Sequence, residues 1–215
     1  MESGSAQRRE SLRSPESVAA ALHSTISPSR IVYRRLLLAV ILFAPVAEAR
    51  ERAVLIYPRE RVWFQRVFYN AHQRGLRTRI AEEFETTVHE QIASDDALFG
   101  IDVDGAKLLV LSAHGDPFSM YFASRKNRTL DVADREKLSN FFDRLDPHAT
   151  IVLQSCYTGR GFAHLVKEAA GPNRQVIAAR GFVPRDGMRI TSVSPFEVTI
   201  DCDDGARRWD CTVRL

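Results

Sequence analysis

An α/β fold, with a mostly parallel sheet flanked by helices and a C-terminal β-hairpin, is predicted by three features of this chain. Short apolar runs recur between helical stretches, which is the pattern of βαβ units. Two of these runs, Lys107–Ala113 and Thr150–Ser155, are apolar without alternation, as strands covered on both faces are. The tail from Arg189 onward is rich in β-forming residues, and Asp203-Asp204-Gly205 marks a turn inside it.

Taken in order, Ala53–Tyr57 is a short apolar strand stopped by Pro58. Val62–Arg74 carries a helical stripe, Val62, Phe64, Val67, Phe68 and Ala71, ended by Gly75. Arg77–Ala81 reads as a second strand. Glu82–Leu98 reads as a helix, with acidic residues early and Val88, Ile92 and Ala93 at helical spacing. Gly105 punctuates the chain before the strand at Lys107. Ser119–Ala123 and Arg128–Val132 are expected to form a small hairpin. Asp134–Leu145 is a helix with Leu138, Phe141, Phe142 and Leu145 on one face, ended by Asp146-Pro147. Beyond the strand at Thr150, Gly161–Ala170 is helical and closed by Gly171-Pro172, and Gln175–Ala179 is another buried strand. Phe196–Ile200 and Thr212–Leu215 flank the turn and are expected to pair as the C-terminal hairpin.

Two segments of different character are expected: a leader over 1–49 and a catalytic domain over 50–215. Met1–Arg30 is rich in Ser, Arg, Glu and Pro and reads as disordered. Arg34-Arg35, the apolar run Leu36–Ala44 and Ala47-Glu48-Ala49 read as the three parts of a signal peptide cleaved near Ala49, so that the mature chain is exported to a periplasm or the exterior. The run is short for a bilayer, and no membrane attachment is expected once the leader is removed. A buried core helix is the competing reading.

The 215 residues carry a net charge of +3, and residues 50–215 hold 24 Lys and Arg against 23 Asp and Glu, a net of +1. A nearly neutral domain lacks the basic stripe that nucleic-acid binding demands. His23, His72, His89, His148 and His164 form no pair at ligand spacing and no Cys-x-x-Cys occurs, so no metal or other cofactor is expected.

Three cysteines in an exported chain raise a pairing question. Cys202 and Cys211 flank the Asp-Asp-Gly turn, where a hairpin brings them together, and export permits the disulfide. Cys156 is then left as a free thiol. The alternative is three reduced, buried thiols.

The candidate site lies where two strands end. Lys107–Ala113 runs into His114-Gly115, and Thr150–Ser155 runs into Cys156. In a parallel sheet the carboxyl ends of neighbouring strands open on one crevice. An imidazole beside a thiol takes its proton or holds it as an ion pair, lowering the thiol pKa. The N–H groups of Gly115 and Cys156 can serve as an oxyanion hole. Gly159 and Gly161 let the chain turn behind the nucleophile, and Asp116, before Pro117, reads as a turn residue. The competing reading is a buried structural thiol and a core histidine.

Ser112-Ala113-His114-Gly115 and Gln154-Ser155-Cys156-Tyr157-Thr158-Gly159 resemble the two motifs of the caspase-like cysteine peptidases, the caspases, metacaspases, legumains and bacterial relatives. The likeness spans Ala53 to Ala179, and the order of His before Cys agrees with it. It implies a caspase-hemoglobinase-like fold and a cysteine endopeptidase, with His114 as base, Cys156 as nucleophile, no metal, and a peptide or protein as substrate. Legumains and metacaspases usually have an acidic residue where this chain has Gln154, whereas caspases have Gln and favour aspartate. Arg59 or Arg61 and Arg180 stand near the positions of caspase pocket arginines, and a guanidinium fork suits a carboxylate. Surface arginines are the plainer reading of all three. A caspase-like fold kept as a non-enzymatic binding module is the second functional class.

Overall fold

The computed structural model describes residues 49–58, 75–122, 129–184, 186–193 and 195–215. The expected signal peptide up to residue 48, the helix at 62–74, Arg59 and Arg61 lie outside the described residues. Ala49–Leu215 forms one compact unit.

Its centre is a six-stranded sheet. In chain order the strands are β1 (Arg52–Pro58), β2 (Glu85–Ile92), β3 (Leu108–Ser112), β7 (Thr150–Gln154), β8 (Gln175–Ala179) and β12 (Thr212–Arg214). Across the sheet the order is β12-β8-β7-β3-β1-β2. The five strands β2, β1, β3, β7 and β8 run parallel, and β12 closes one edge antiparallel to β8. Beyond β12 the edge continues for one more residue, because Leu215 and Val176 exchange both backbone hydrogen bonds at 2.9 and 3.1 Å.

Apolar runs form these strands because both faces are covered. On one face Val54, Ile56, Leu109, Leu111, Ile151 and Leu153 pack under α2 (Arg135–Phe142) and α3 (Phe162–Ala170). Leu138, Phe141 and Phe142 are the buried stripe of α2, and Phe162, Ala163 and Val166 belong to that of α3. A short helix, α1 (Asp95–Phe99), capped by the Ser94 side chain, adds Leu98 to this core. On the other face Ala53, Leu55, Leu108, Val110, Val152 and Ile177 pack against Leu76, Ile80, Met188, Val198 and Ile200. The last three belong to β9 (Met188–Val193) and β10 (Phe196–Asp203), which with β11 (Arg208–Asp210) make an antiparallel sheet. A third small sheet joins β4 (His114–Gly115), β5 (Met120–Tyr121) and β6 (Thr129–Leu130).

Three expectations are corrected. Residues 75–81 are helical, so Arg77–Ala81 is not a strand and Gly75 does not end a helix. Leu76 and Ile80, four apart, are both buried, as one face of a helix requires. Glu82–Leu98 is not one helix: Glu85–Ile92 is an edge strand pairing in parallel with β1, and only Asp95–Phe99 is helical. The β-branched run Thr86-Thr87-Val88 suits the strand, and hydrogen bonding to β1 decides it. The C-terminal hairpin is real but differs in its partners. β10 turns back onto β11, with Cys202 opposite Trp209, while Thr212–Arg214 leaves to join β8. The Cys202–Cys211 disulfide forms, linking β10 to the connection between β11 and β12. It is consistent with an oxidising compartment. Among the described residues no helix is long and apolar enough to cross a membrane.

Tyr57 gives the fold a testable pH signature. It is buried at the end of β1, with the Arg77 guanidinium 4.6 Å from its ring centre. Burial pushes the phenol up to about 12, against a smaller opposite pull from Arg77. The unfolded chain ionises its tyrosines near pH 10, so the folded state holds this proton longer. Stability from this group is complete below pH 10 and falls by about 2 to 3 kcal/mol as pH rises toward 12. Denaturant titrations from pH 8 to 11 should show a shallower alkaline decline for Tyr57→Phe than for the wild type. Identical slopes would contradict the assignment.

Candidate functional site

The site stands at the carboxyl rim of two neighbouring strands. β3 and β7 are paired in register, with Ser112 opposite Gln154. The pairing continues one step further, where the Ala113 N–H donates to the Gln154 carbonyl at 3.3 Å. Neighbouring strands lie about 4.8 Å apart. His114 and Cys156 each follow two residues beyond that matched pair, so both emerge on the same rim.

Gly115 sits so close to the Cys156 turn that it has no room for a side chain. A Cβ placed on Gly115 would fall on Ser155 Oγ, and would lie 2.9 Å from Thr158 Cγ2 and 3.0 Å from the Cys156 carbonyl oxygen. Gly115 therefore belongs to the wall of the Cys156 turn. In the β4–β5 pair Asp116 N–H donates to Ser119 O at 3.0 Å, and the same alternation points the Gly115 N–H away from β5. Asp116 acts as expected of a turn residue, its carboxylate accepting from Phe118 N–H at 2.9 Å. Gly115→Ala should cost about 1–3 kcal/mol by overpacking this contact. A thermal melt unchanged from wild type would show that the two turns are not wedged together.

His114 is exposed and stacks on Tyr121, with ring centres 5.5 Å apart and 23° between planes. Tyr121 is its cross-strand partner, so β5 sets the imidazole's orientation.

The Cys156 turn has features that composition does not disclose. Tyr157, directly after the thiol, adopts a left-handed backbone with φ 62°. A tyrosine there carries strain of about 1–3 kcal/mol, which the surroundings must over-determine. They do so through Tyr157 N–H donating to Gly181 O at 2.9 Å and Arg160 packing 4.9 Å from the Tyr157 ring centre. Gly159 and Gly161 serve the turn by close approach. A Cβ on Gly159 would meet the Ala179 backbone at 2.9 Å, and one on Gly161 would meet Pro117 O at 2.5 Å. Ser155 is buried, and its Oγ has no hydrogen-bond partner among the described residues.

The thiol is half-buried and differs from the expectation. Sγ accepts from Val183 N–H at 3.4 Å and lies 3.9 Å from Val183 O. Burial pushes the Cys156 pKa up, and the Val183 N–H offsets only part of this. This direction is opposite to the lowering that an imidazole ion pair would give.

Of the remaining residues, Gln154 is buried at the end of β7, in the strand that delivers Cys156. Arg180 follows β8 and is exposed. Its N–H donates to Cys211 O at 3.1 Å, and its carbonyl accepts from Arg160 Nε at 2.6 Å. The structure thus gathers Gly115, Ser155, Cys156, Tyr157, Gly181 and Val183 around one turn. Sequence reasoning did not find Tyr157, Gly181 or Val183. A glycine two residues past the end of β8 was the only trace. No protein-family model matches this sequence, and no curated protein matches it.

Proposed function

We propose that this chain is an exported cysteine endopeptidase of caspase-like type, with His114 and Cys156 as its dyad. The observation that carries the reading is the seating of the Gly115 backbone against Ser155 and Cys156 at the rim of paired strands. Cys156 Sγ attacks the scissile carbonyl carbon as His114 accepts the thiol proton. The tetrahedral oxyanion is held by the N–H groups of Gly115 and Cys156. His114 then protonates the leaving amine, and a thioester remains on Cys156. Water, deprotonated by His114, hydrolyses the thioester and restores the thiol.

Burial pushes the thiol pKa up, which favours His114 working as a general base during attack over a preformed ion pair. Gln154 and Arg180, with Arg59 and Arg61, are the residues proposed to line the substrate pocket. The signal peptide ending near Ala49 delivers the domain to the oxidising compartment with which the disulfide agrees. A second reading, a non-catalytic binding module of the same fold, is favoured by the half-burial of the thiol itself.

A fluorogenic peptide library incubated with purified protein separates the two. The peptidase reading expects cleavage that vanishes in both Cys156→Ala and His114→Ala. Cleavage surviving in both, or absent throughout, rejects it.

A further inference from the structure

The strap that follows β8, residues Arg180–Val183, is held from two sides. On one side stand the disulfide and its neighbours. Arg180 N–H donates to Cys211 O at 3.1 Å, and Asp203 N–H donates to Phe182 O at 2.9 Å. Between these bonds Gly181 lies directly over the disulfide, since a Cβ there would come within 2.8 Å of Cys202 Sγ and 3.0 Å of Cys202 Cβ. On the other side stands the thiol turn. Tyr157 N–H donates to Gly181 O at 2.9 Å, Arg160 Nε donates to Arg180 O at 2.6 Å, and Val183 N–H donates to Cys156 Sγ at 3.4 Å.

We propose that the Cys202–Cys211 disulfide is a positioning element for Cys156, acting through the Arg180–Val183 strap. Cys202 is fully buried and Cys211 nearly so, so the bond serves as a fixed floor beneath Gly181. The strap has no side chain at Gly181 to keep it off that floor. Its carbonyl groups and N–H groups are shared between the floor and the turn, so a shift on one side is passed to the other. Opening the bond loosens β10 against the β11–β12 connection, lets the strap lift, and removes both the cover and the N–H donor from Cys156 Sγ. The inference concerns the thiol's surroundings and does not require that the chain cleave peptides.

The test is alkylation of Cys156 by iodoacetamide, followed by peptide mass spectrometry that distinguishes it from Cys202 and Cys211. Full-chain protein is compared across pH 6–10 as the disulfide form, after reduction by a phosphine, and as Gly181→Ala with the bond intact. Among the described residues, His114, Asp116 and Tyr121 on the β4–β5 hairpin, Tyr157 and Arg160 beyond the thiol, Arg180 on the strap and Asp203 on β10 are titratable or charged groups of the surrounding elements, and all are retained in every form. Because burial is the larger influence on the thiol, lifting the strap should raise the rate at pH 7.5 at least five-fold. The pH midpoint should also move down toward that of an ordinary thiol. Gly181→Ala should shift both readings in the same direction. Reduced protein that keeps its circular dichroism but shows the same rate within two-fold and the same midpoint overturns the proposal. Should reduction abolish the dichroism signal, Gly181→Ala decides by the same two readings.

Discussion

Cys156→Ala and His114→Ala are each expected to lower kcat/KM for a cleaved peptide by at least about 10³-fold, or about 4 kcal/mol of transition-state stabilisation. The two side chains act on one proton in the proposed reaction, so the double variant should be little worse than either single one. Additive losses would mean that the two groups work separately. Cys156→Ala removes only Sγ from a half-buried position, and His114 is exposed, so neither change should disturb the core. Far-ultraviolet dichroism and a denaturant midpoint close to wild type are the controls. A variant that melts early says nothing about chemistry. One that melts normally and still cleaves removes the dyad from the account.

Phe142→Ala should cost about 3–5 kcal/mol, a large part of what an ordinary domain has. Phe142 is fully buried in α2, and its ring meets Phe141 edge-on at 5.8 Å within the core that covers β3 and β7. Truncation leaves a cavity under the two strands that deliver the rim, and neighbours fixed on a sheet cannot collapse into it. Urea titration is the measurement, with the midpoint falling and the slope unchanged. A loss under 1 kcal/mol would mean that the helix repacks freely on the sheet.

How much of this was legible depends on how each segment is covered. β3, β7 and β8 were readable because strands buried on both faces have no reason to alternate. β2 was not, because an edge strand with mixed exposure carries a polar, ambiguous pattern, and its pairing with β1 settles what Glu85–Ile92 becomes. Residues 75–81 misled for the opposite reason, since too few residues were read to separate a helical face from a strand. The turn at Asp203-Asp204-Gly205 was clear, but local sequence could not say that Thr212–Arg214 would prefer β8 to β10. His114 and Cys156 were legible as strand ends. Tyr157's left-handed backbone, the Val183 N–H at the sulfur and the burial that raises its pKa arise from residues distant in the chain.

The antiparallel edge formed by β12 has a consequence for handling and turnover of the protein. Among the described residues, its three residues and Leu215 occupy the hydrogen-bonding edge of β8. A nick just past Cys211 would strip them away and bare a row of unsatisfied amides and carbonyls. Such a seam invites another copy to dock along it and so seeds clumping. Trimmed protein should therefore sediment as aggregates where the intact chain stays dispersed.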